Sequence, residues 1–254
     1  MPPGDSFRRF ENRATDYAGG RPDYPAALLD FLLGRLALRA GAEVADIGSG
    51  TGIFTRALLA RGLRVAAVEP GDDMRRTAEA ELGAQPGFTS SSGTARATKL
   101  PARSVEAIFC AQAFHWFNEE PTRREWRRIL RPGGSAVLVW NNRDPADAFT
   151  AEFLAVLHSG GADATRTMAA SLGAQTDNVL FRGAPAETVA FPHAQSLDFA
   201  GLLRLTVSAS FMPKPGDARF PEISDRLRGI FDRHQAAGAV RMVYRTVAVF
   251  GEIR

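Results

Sequence analysis

The chain has 254 residues, a formal net charge of +3 at pH 7 and a hydrophobic content of 45%. This length and composition are typical of a globular protein with one full hydrophobic core and space for a subdomain. The single cysteine, Cys110, excludes an intramolecular disulfide and a zinc site made of cysteines.

The first predicted element is a helix over residues 25–38, where leucines at helical spacing form a wide apolar face. Asp23 is placed to cap this helix, and Pro25 suits its first turn. From residue 42 to 142, short apolar strands then alternate with helices, which is the pattern of a parallel sheet with helical crossovers. We expect strands at residues 43–47, 63–69, 88–91, 105–110 and 135–141, and helices at residues 53–61, 72–82 and 121–130.

The pattern changes after residue 144, where the chain is rich in small residues and its helical patterns are broken up to residue 184. A strand at 187–191, helices at 197–210 and 221–235, and a long strand at 240–250 follow. We therefore expect two regions. Residues 1–144 form a ligand-binding core with an N-terminal lid segment. Residues 145–254 form a substrate cap (about 145–184 and 193–237) over the ligand edge and the final strands of the sheet.

The most informative stretch is residues 44–55, which read VADIGSGTGIFT. An apolar strand leads into Asp46, a glycine-rich turn follows, and an apolar helix begins at Ile53. Glycine permits a positive φ and lets a ligand approach the backbone, and the free N–H groups of the helix point at that ligand. The stretch therefore predicts a nucleotide-like ligand, bound by Asp46, Gly48, Ser49, Gly50, Thr51 and Gly52.

The glycine spacing separates two classes of nucleotide site. Dinucleotide sites use Gly-x-Gly-x-x-Gly, whereas this chain has Gly-x-Gly-x-Gly with Asp46 two residues before the first glycine. An acid there disfavours a pyrophosphate and favours a cationic amino group. The stretch resembles the first motif of class I S-adenosylmethionine-dependent methyltransferases. That resemblance implies a Rossmann-like α/β three-layer sandwich, whose seven-stranded sheet is mostly parallel with an antiparallel C-terminal strand, plus a helical cap. It also implies S-adenosyl-L-methionine as cofactor and S-adenosyl-L-homocysteine as product.

The second predicted strand ends at Glu69, seventeen residues beyond Gly52. Open parallel sheets bind ligands beyond the carboxyl ends of their strands, and a carboxylate there can accept both ribose hydroxyls. This resembles the second methyltransferase motif, with Glu69 as the ribose ligand. Pro70 and Met74 would lie against the adenine, although the position of Met74 suits the core equally well.

The third loop resembles the family stretch Gly-Asp-Ala-Glu-x-Leu-Pro, with Thr94 in place of the acid and Arg96 in place of the glutamate. Adenine contact is then expected from the Thr94 hydroxyl or the backbone near Ala95. The run Cys-Ala-Gln-Ala-Phe-His-Trp-Phe at residues 110–117 resembles the family stretch after the fourth strand. This implies that the backbone of Ala111 and Gln112 faces the methionine part of the cofactor.

The same resemblance places His115 and Trp116 where the methyl group emerges. We interpret His115 as a general base or as a side chain that fixes the loop, and Trp116 as part of the substrate pocket or of the core. The run at residues 17–25 resembles Tyr-x-x-x-Arg-Pro-x-Tyr-Pro of small-molecule methyltransferases similar to the type 11 group. Tyr17 and Arg21 are therefore expected near the cofactor carboxylate or the reaction centre, the alternative being a packed surface loop.

The predicted function is transfer of a methyl group to an O, N or C nucleophile of a small-molecule acceptor. A non-methylating catalyst such as a cyclase, or a binding protein, would keep the same pocket. A nicotinamide oxidoreductase is disfavoured by the glycine spacing and the lack of an obvious Tyr-x-x-x-Lys pair. A nucleic-acid methyltransferase is disfavoured because no Asn/Asp-Pro-Pro-aromatic motif occurs.

Composition adds expectations about partners. The arginines are scattered among acidic residues, which indicates a solvated surface and not a nucleic-acid track. The four histidines lack metal-ligand spacing, so we expect no metal. Without an eighteen-residue apolar run or a signal-peptide pattern, we expect a cytoplasmic protein with no membrane partner. The sequence leaves open whether the protein is a monomer or a homodimer.

Overall fold

The structure is a computed structural model that describes residues 20–159 and 162–253; Tyr17, a predicted site residue, lies outside them. Within these ranges seven strands form one sheet in the order β3-β2-β1-β4-β5-β7-β6. The strands are β1 (Glu43–Ile47), β2 (Arg64–Val68), β3 (Phe88–Ser91), β4 (Val105–Ala111), β5 (Leu130–Arg143), β6 (Glu187–Leu197) and β7 (Val240–Glu252). The helices are α1 (Ala26–Arg35), α2 (Ile53–Leu59), α3 (Asp72–Leu82), α4 (Glu120–Ile129), α5 (Ala148–His158), α6 (Ala162–Thr176), α7 (Phe199–Val207) and α8 (Phe220–His234).

The sheet is mixed, with both parallel and antiparallel strand pairs. Strands β1 to β5 pair in parallel, whereas β7 lies antiparallel between β5 and β6. The predicted Rossmann-like fold, a mostly parallel seven-stranded sheet with an antiparallel C-terminal strand, is confirmed. The strand order reverses between β1 and β4, and ligands of open parallel sheets bind at such a switch point, beyond the carboxyl ends of the strands.

The central strands are buried on both faces because helices cover the sheet on two sides. Along β4, Ile108 and Cys110 join one apolar cluster, and Phe109 joins the cluster on the opposite face. The first cluster includes Trp126 of α4, and the second includes Leu32 of α1. This alternation produces the three layers of helix, sheet and helix.

A third apolar cluster belongs to the helices that follow β5. It joins Phe153 of α5, Leu202 of α7 and Leu227 of α8 to Met242 and Tyr244 of β7. These helices therefore share a core of their own, which is built on the first half of β7. The cluster lies beside β5, whose carboxyl end is Arg143.

Two local expectations were wrong. Strand β6 continues to Leu197 because it pairs with β7 along its whole length, so residues 193–197 lie in the sheet and not in a cap. Pro192 does not end this strand, since β6 is at the edge of the sheet, where a missing N–H is tolerated. Asp23 does not cap α1, because Pro25 holds the cap position and Asp23 Oδ1 lies 3.0 Å from His193 Nε2.

Candidate functional site

The glycine loop joins β1 to α2 and requires glycine for two reasons. The φ angles of Gly48, Gly50 and Gly52 are +73°, +56° and +84°. Residues other than glycine rarely adopt such angles. A Cβ on Gly48 would lie 2.7 Å from the Cβ of Ala113, and one on Gly52 would lie 2.6 Å from Cδ1 of Leu82. Backbone strain and lack of space therefore both exclude larger residues here.

Glu69 follows β2 and is tied to the glycine loop by its carboxylate. Oε2 accepts a hydrogen bond from the Gly50 N–H at 3.0 Å, and Oε1 accepts one from the Gly71 N–H at 2.8 Å. Burial raises the pKa of Glu69, and these two backbone hydrogen bonds oppose that effect. Each oxygen keeps an accepting lone pair, so the carboxylate is oriented and retains capacity for two hydroxyl donors.

Asp46 lies at the end of β1 and is only half satisfied. Its Oδ2 accepts a hydrogen bond from Thr55 Oγ1 at 2.6 Å, while Oδ1 is buried and has no partner among the described residues. Burial, aided by the negative charge of Glu69, raises the pKa of Asp46 to about 7. Such an acceptor fits a cationic donor, which would lower that pKa. The hydroxyls of Ser49 and Thr51 are likewise buried without a partner in the described part of the chain.

A narrow crevice of about 30 Å³ opens between the ends of β1 and β4. Its lining includes six of the predicted cofactor ligands, namely Asp46, Gly48, Ser49, Gly50, Ala111 and Gln112. Gln112 has a φ of +58°, and a non-glycine residue in this conformation commonly marks a functional site. The volume suits a small part of a cofactor, and Glu69 lies outside the lining.

A larger cavity of about 520 Å³ lies between the end of the sheet and the helices α5 and α6. It shares four lining residues with the crevice, namely Arg21, Pro22, Gln112 and Asn141. His115 and Trp116 line the cavity from the turn after β4, and Asn142, Arg143 and Tyr244 line it from the sheet. Apolar groups complete the wall, among them Leu154, Leu157, Leu172 and Phe211.

His115 lies on a single 3₁₀ turn (Phe114–Trp116), with its ring 4.8 Å from that of Trp116. Its Nδ1 is buried and has no hydrogen-bond partner among the described residues. Burial and the nearby charge of Arg21 lower the pKa of His115 to about 4. The imidazole is therefore neutral near pH 7 and can accept a proton, although as a weak base.

The N-terminal segment at residues 20–24 is held across the end of the sheet. The Gly20 carbonyl accepts a hydrogen bond from Gln195, and the Asp23 carbonyl accepts one from Asn141. Arg21 donates to the Ser208 carbonyl just after α7 at 3.3 Å. These contacts place Arg21 where the crevice and the cavity meet.

Other predicted ligands lie outside both cavities. Thr94 is exposed and its hydroxyl accepts the Ala97 N–H at 3.2 Å, while the buried Ala95 carbonyl accepts the Trp126 Nε1–H at 3.2 Å. Met74 is buried and Pro70 is half-buried. Contact of these four residues with an adenine therefore stays a prediction.

Sequence reasoning missed the polar residues at the carboxyl end of β5, which supplies Asn141, Asn142 and Arg143 to the cavities. A signal was present, since three polar residues follow the apolar run at residues 136–140, at the ligand edge of the sheet. Tyr244 gave no such signal, because it lies inside a β-branched strand pattern. Among the described residues, no group of three or more His, Cys, Asp or Glu could hold a metal ion.

Comparisons with known proteins agree with this geometry. Residues 45–138 match a family model described as a methyltransferase domain. An uncharacterized methyltransferase of Mycobacterium tuberculosis is 41% identical over 140 residues, which cover 55% of each protein. The chain thus spans about half the length of that curated relative. A methyltransferase-like protein of Schizosaccharomyces pombe is 27% identical over 253 residues, covering 97% of this chain and 96% of the relative.

One solved structure shares the fold over nearly the whole chain. It is an S-adenosylmethionine-dependent methyltransferase from Geobacter sulfurreducens in complex with S-adenosyl-L-homocysteine. It superposes with a TM-score of 0.52 at 19% identity and covers 96% of this chain and 98% of its own. In the part of our chain that the structure describes, no helix is long and apolar enough to cross a membrane. The family match, the relatives and the fold agree: residues 45–138 match a methyltransferase domain, and the chain around them shares the fold of a solved S-adenosylmethionine-dependent methyltransferase.

Proposed function

We propose that this protein transfers a methyl group from S-adenosylmethionine to an O, N or C nucleophile of a small-molecule acceptor. One observation carries the proposal. The glycine-loop crevice and the 520 Å³ cavity share a wall, and His115 and Trp116 lie on the cavity side of it. A donor held in the crevice and an acceptor held in the cavity would meet at that wall.

The residues at the crevice and on the neighbouring strand end fit this cofactor. Asp46 Oδ1 is a buried acceptor without a partner among the described residues and suits the amino group of the methionine moiety. The Glu69 carboxylate, oriented by two backbone N–H groups, suits the ribose hydroxyls. When bound, the cofactor supplies a methyl group already activated by a positive sulfur.

The protein's own contribution is alignment, exclusion of water and proton removal. Holding two reactants in line can account for a large part of the rate enhancement. Leu154, Leu157 and Phe211 give the cavity an apolar wall that excludes water. Where the acceptor atom carries a proton, Nδ1 of the neutral His115 accepts it as the new bond forms. The face of Trp116 offers attraction to positive charge at the transfer point.

The size of the cavity supports a small acceptor, since pockets for small molecules commonly enclose about 300–1,000 Å³. The absence of a nucleic-acid partner and the cytoplasmic location stay predictions from the sequence. The cap role of residues 145–184 and of those after 197 also stays a proposal; it is supported by the lining that α5 and α6 contribute.

Calorimetry tests the cofactor, and product analysis tests the reaction. We expect S-adenosylhomocysteine to bind the folded protein, NAD not to bind, and S-adenosylhomocysteine to accumulate when S-adenosylmethionine is supplied with a suitable acceptor. Folded protein that binds neither S-adenosylmethionine nor S-adenosylhomocysteine would refute the proposal. Binding without methyl transfer across a broad acceptor set would favour a non-methylating role for the same pocket.

A further inference from the structure

Arg143 is the last residue of β5 and lines the large cavity. Its Nε is buried and has no hydrogen-bond partner among the described residues. Burial lowers the pKa of Arg143, and the positive charge of Arg21 acts in the same direction. The Tyr244 hydroxyl hydrogen-bonds the guanidinium and opposes this effect, but it is neutral at physiological pH and donates its own hydrogen to Gln195.

No carboxylate balances this charge within the described residues. None of the cavity-lining residues that the structure describes is Asp or Glu. The neighbouring Asp144 does not line the cavity, and its Oδ1 accepts the Ala146 N–H at 3.0 Å. The guanidinium carbon lies 5.2 Å from the centre of the Phe153 ring, which carries no negative charge. A buried guanidinium without a counter-ion in a cavity indicates that the counter-ion comes with the ligand.

The two arginines at this end of the sheet are placed differently. Arg21 lines both the crevice and the cavity, so it is within reach of a cofactor as well as an acceptor. Arg143 lines only the cavity. The charge of Arg143 is therefore directed at the acceptor and not at the cofactor carboxylate. Around it, Leu154, Leu172 and Phe211 provide apolar surface for the rest of the molecule.

We propose, resting on the proposed function, that the methyl acceptor is a small molecule with an apolar body and one carboxylate or phosphate group, which Arg143 binds. A guanidinium matches either anion with two parallel N–H···O hydrogen bonds. Arg143 thereby determines which acceptors the site takes and holds them in one orientation beside His115.

The proposal is tested by binding three probes of similar shape, namely benzoate, phenyl phosphate and benzamide, to protein saturated with S-adenosylhomocysteine. We expect one or both anions to bind at least about tenfold more tightly than benzamide. Comparing the two anions identifies carboxylate or phosphate as the preferred group. Equal affinity for the three probes, or no measurable binding of either anion, would overturn the proposal.

Variants locate the effect. We expect Arg143→Gln to abolish the preference for the anions, Arg143→Lys to retain part of it, and the exposed Arg39→Gln control to leave it unchanged. An unchanged preference in folded Arg143→Gln protein would overturn the assignment to Arg143. If the Arg143→Gln protein does not fold, two measurements still test the proposal. They are the anion preference of the wild-type protein and the reduction of that preference in Arg143→Lys. Repeating the titrations without S-adenosylhomocysteine separates this proposal from the proposed function. The preference for anions can be measured even if the protein binds no cofactor.

Discussion

The glycine loop and the large cavity lie at the same end of the sheet, but they are assembled from the chain in different ways. The loop side depends on short-range contacts, since Asp46 and Thr55 are nine residues apart and Gly50 and Glu69 are nineteen apart. The cavity brings Arg21, His115 and Tyr244 together from distant parts of the chain. We infer that acceptor choice can change through the cavity while the cofactor side is preserved. Variants on the two sides are therefore expected to have separable effects.

The largest effect is expected from Gly50→Val on the cofactor side. A β-branched residue is strained at a φ of +56°, and Gly50 lines the crevice directly. We expect the affinity for S-adenosylhomocysteine, measured by calorimetry, to fall at least about 100-fold. Gly173→Ala is a matched control, because a Cβ there meets nothing within 4 Å. Unchanged affinity in the folded Gly50→Val protein would contradict the role of this loop.

On the acceptor side, His115→Gln separates catalysis from binding. We expect turnover to fall by about 100-fold while the affinity for S-adenosylhomocysteine stays within about twofold, because proton transfer contributes to rate and not to cofactor contact. Because burial lowers the pKa of His115 to about 4, we expect no loss of turnover from protonation of His115 between pH 8 and about 5. An unaffected rate would reduce His115 to a structural part of the turn.

Glu69→Ala is expected to have a smaller effect, confined to the cofactor. The change removes the acceptor for the predicted ribose hydroxyls and for the N–H groups of Gly50 and Gly71. We expect S-adenosylhomocysteine to bind about tenfold more weakly, with the preference between acceptors unchanged. Glu81→Ala, on the exposed face of α3, serves as the control. An equal loss in both variants would argue against a specific role for Glu69.

The smallest expected effect is a coupling between cofactor binding and proton release from Asp46. Its pKa is raised to about 7, so below that pH the carboxyl is largely protonated and must ionise to pair with a cationic amino group. We therefore expect S-adenosylhomocysteine binding at pH 6 to release up to about one proton, and affinity to increase as the pH approaches 7. Calorimetry in two buffers of different ionisation enthalpy measures the proton. Asp46→Asn should bind without this release.

The raised pKa of Asp46 also predicts how the stability of the folded protein changes with pH. The unfolded chain releases the Asp46 proton near pH 3.8, whereas the folded chain retains it until about pH 7. The contribution of Asp46 to stability is therefore lost as the pH rises between those values. Comparing the pH dependence of thermal unfolding in wild-type and Asp46→Asn protein isolates this contribution. A parallel dependence in the two proteins would contradict the raised pKa.

Some of the site could be predicted because its geometry is local. Strand β1 was predicted with its observed bounds, and the positive φ angles of Gly48 and Gly50 follow from a tight strand-to-helix turn. The position of Glu69 at the end of the next strand follows from the alternation of strands and helices. These features depend on residues within about one supersecondary unit, so hydrophobic periodicity and turn-forming residues are sufficient to predict them.

What the sequence by itself determined is thus the order of strands and helices up to residue 143, the glycine loop and the two acids beside it. Only the tertiary structure decided that β6 pairs with β7 as far as Leu197, and that Arg143 and Tyr244 reach the same cavity as His115. The physical reason is that pairing and burial in these regions join residues far apart in the chain. The free energy of such contacts arises from partners that no local pattern specifies.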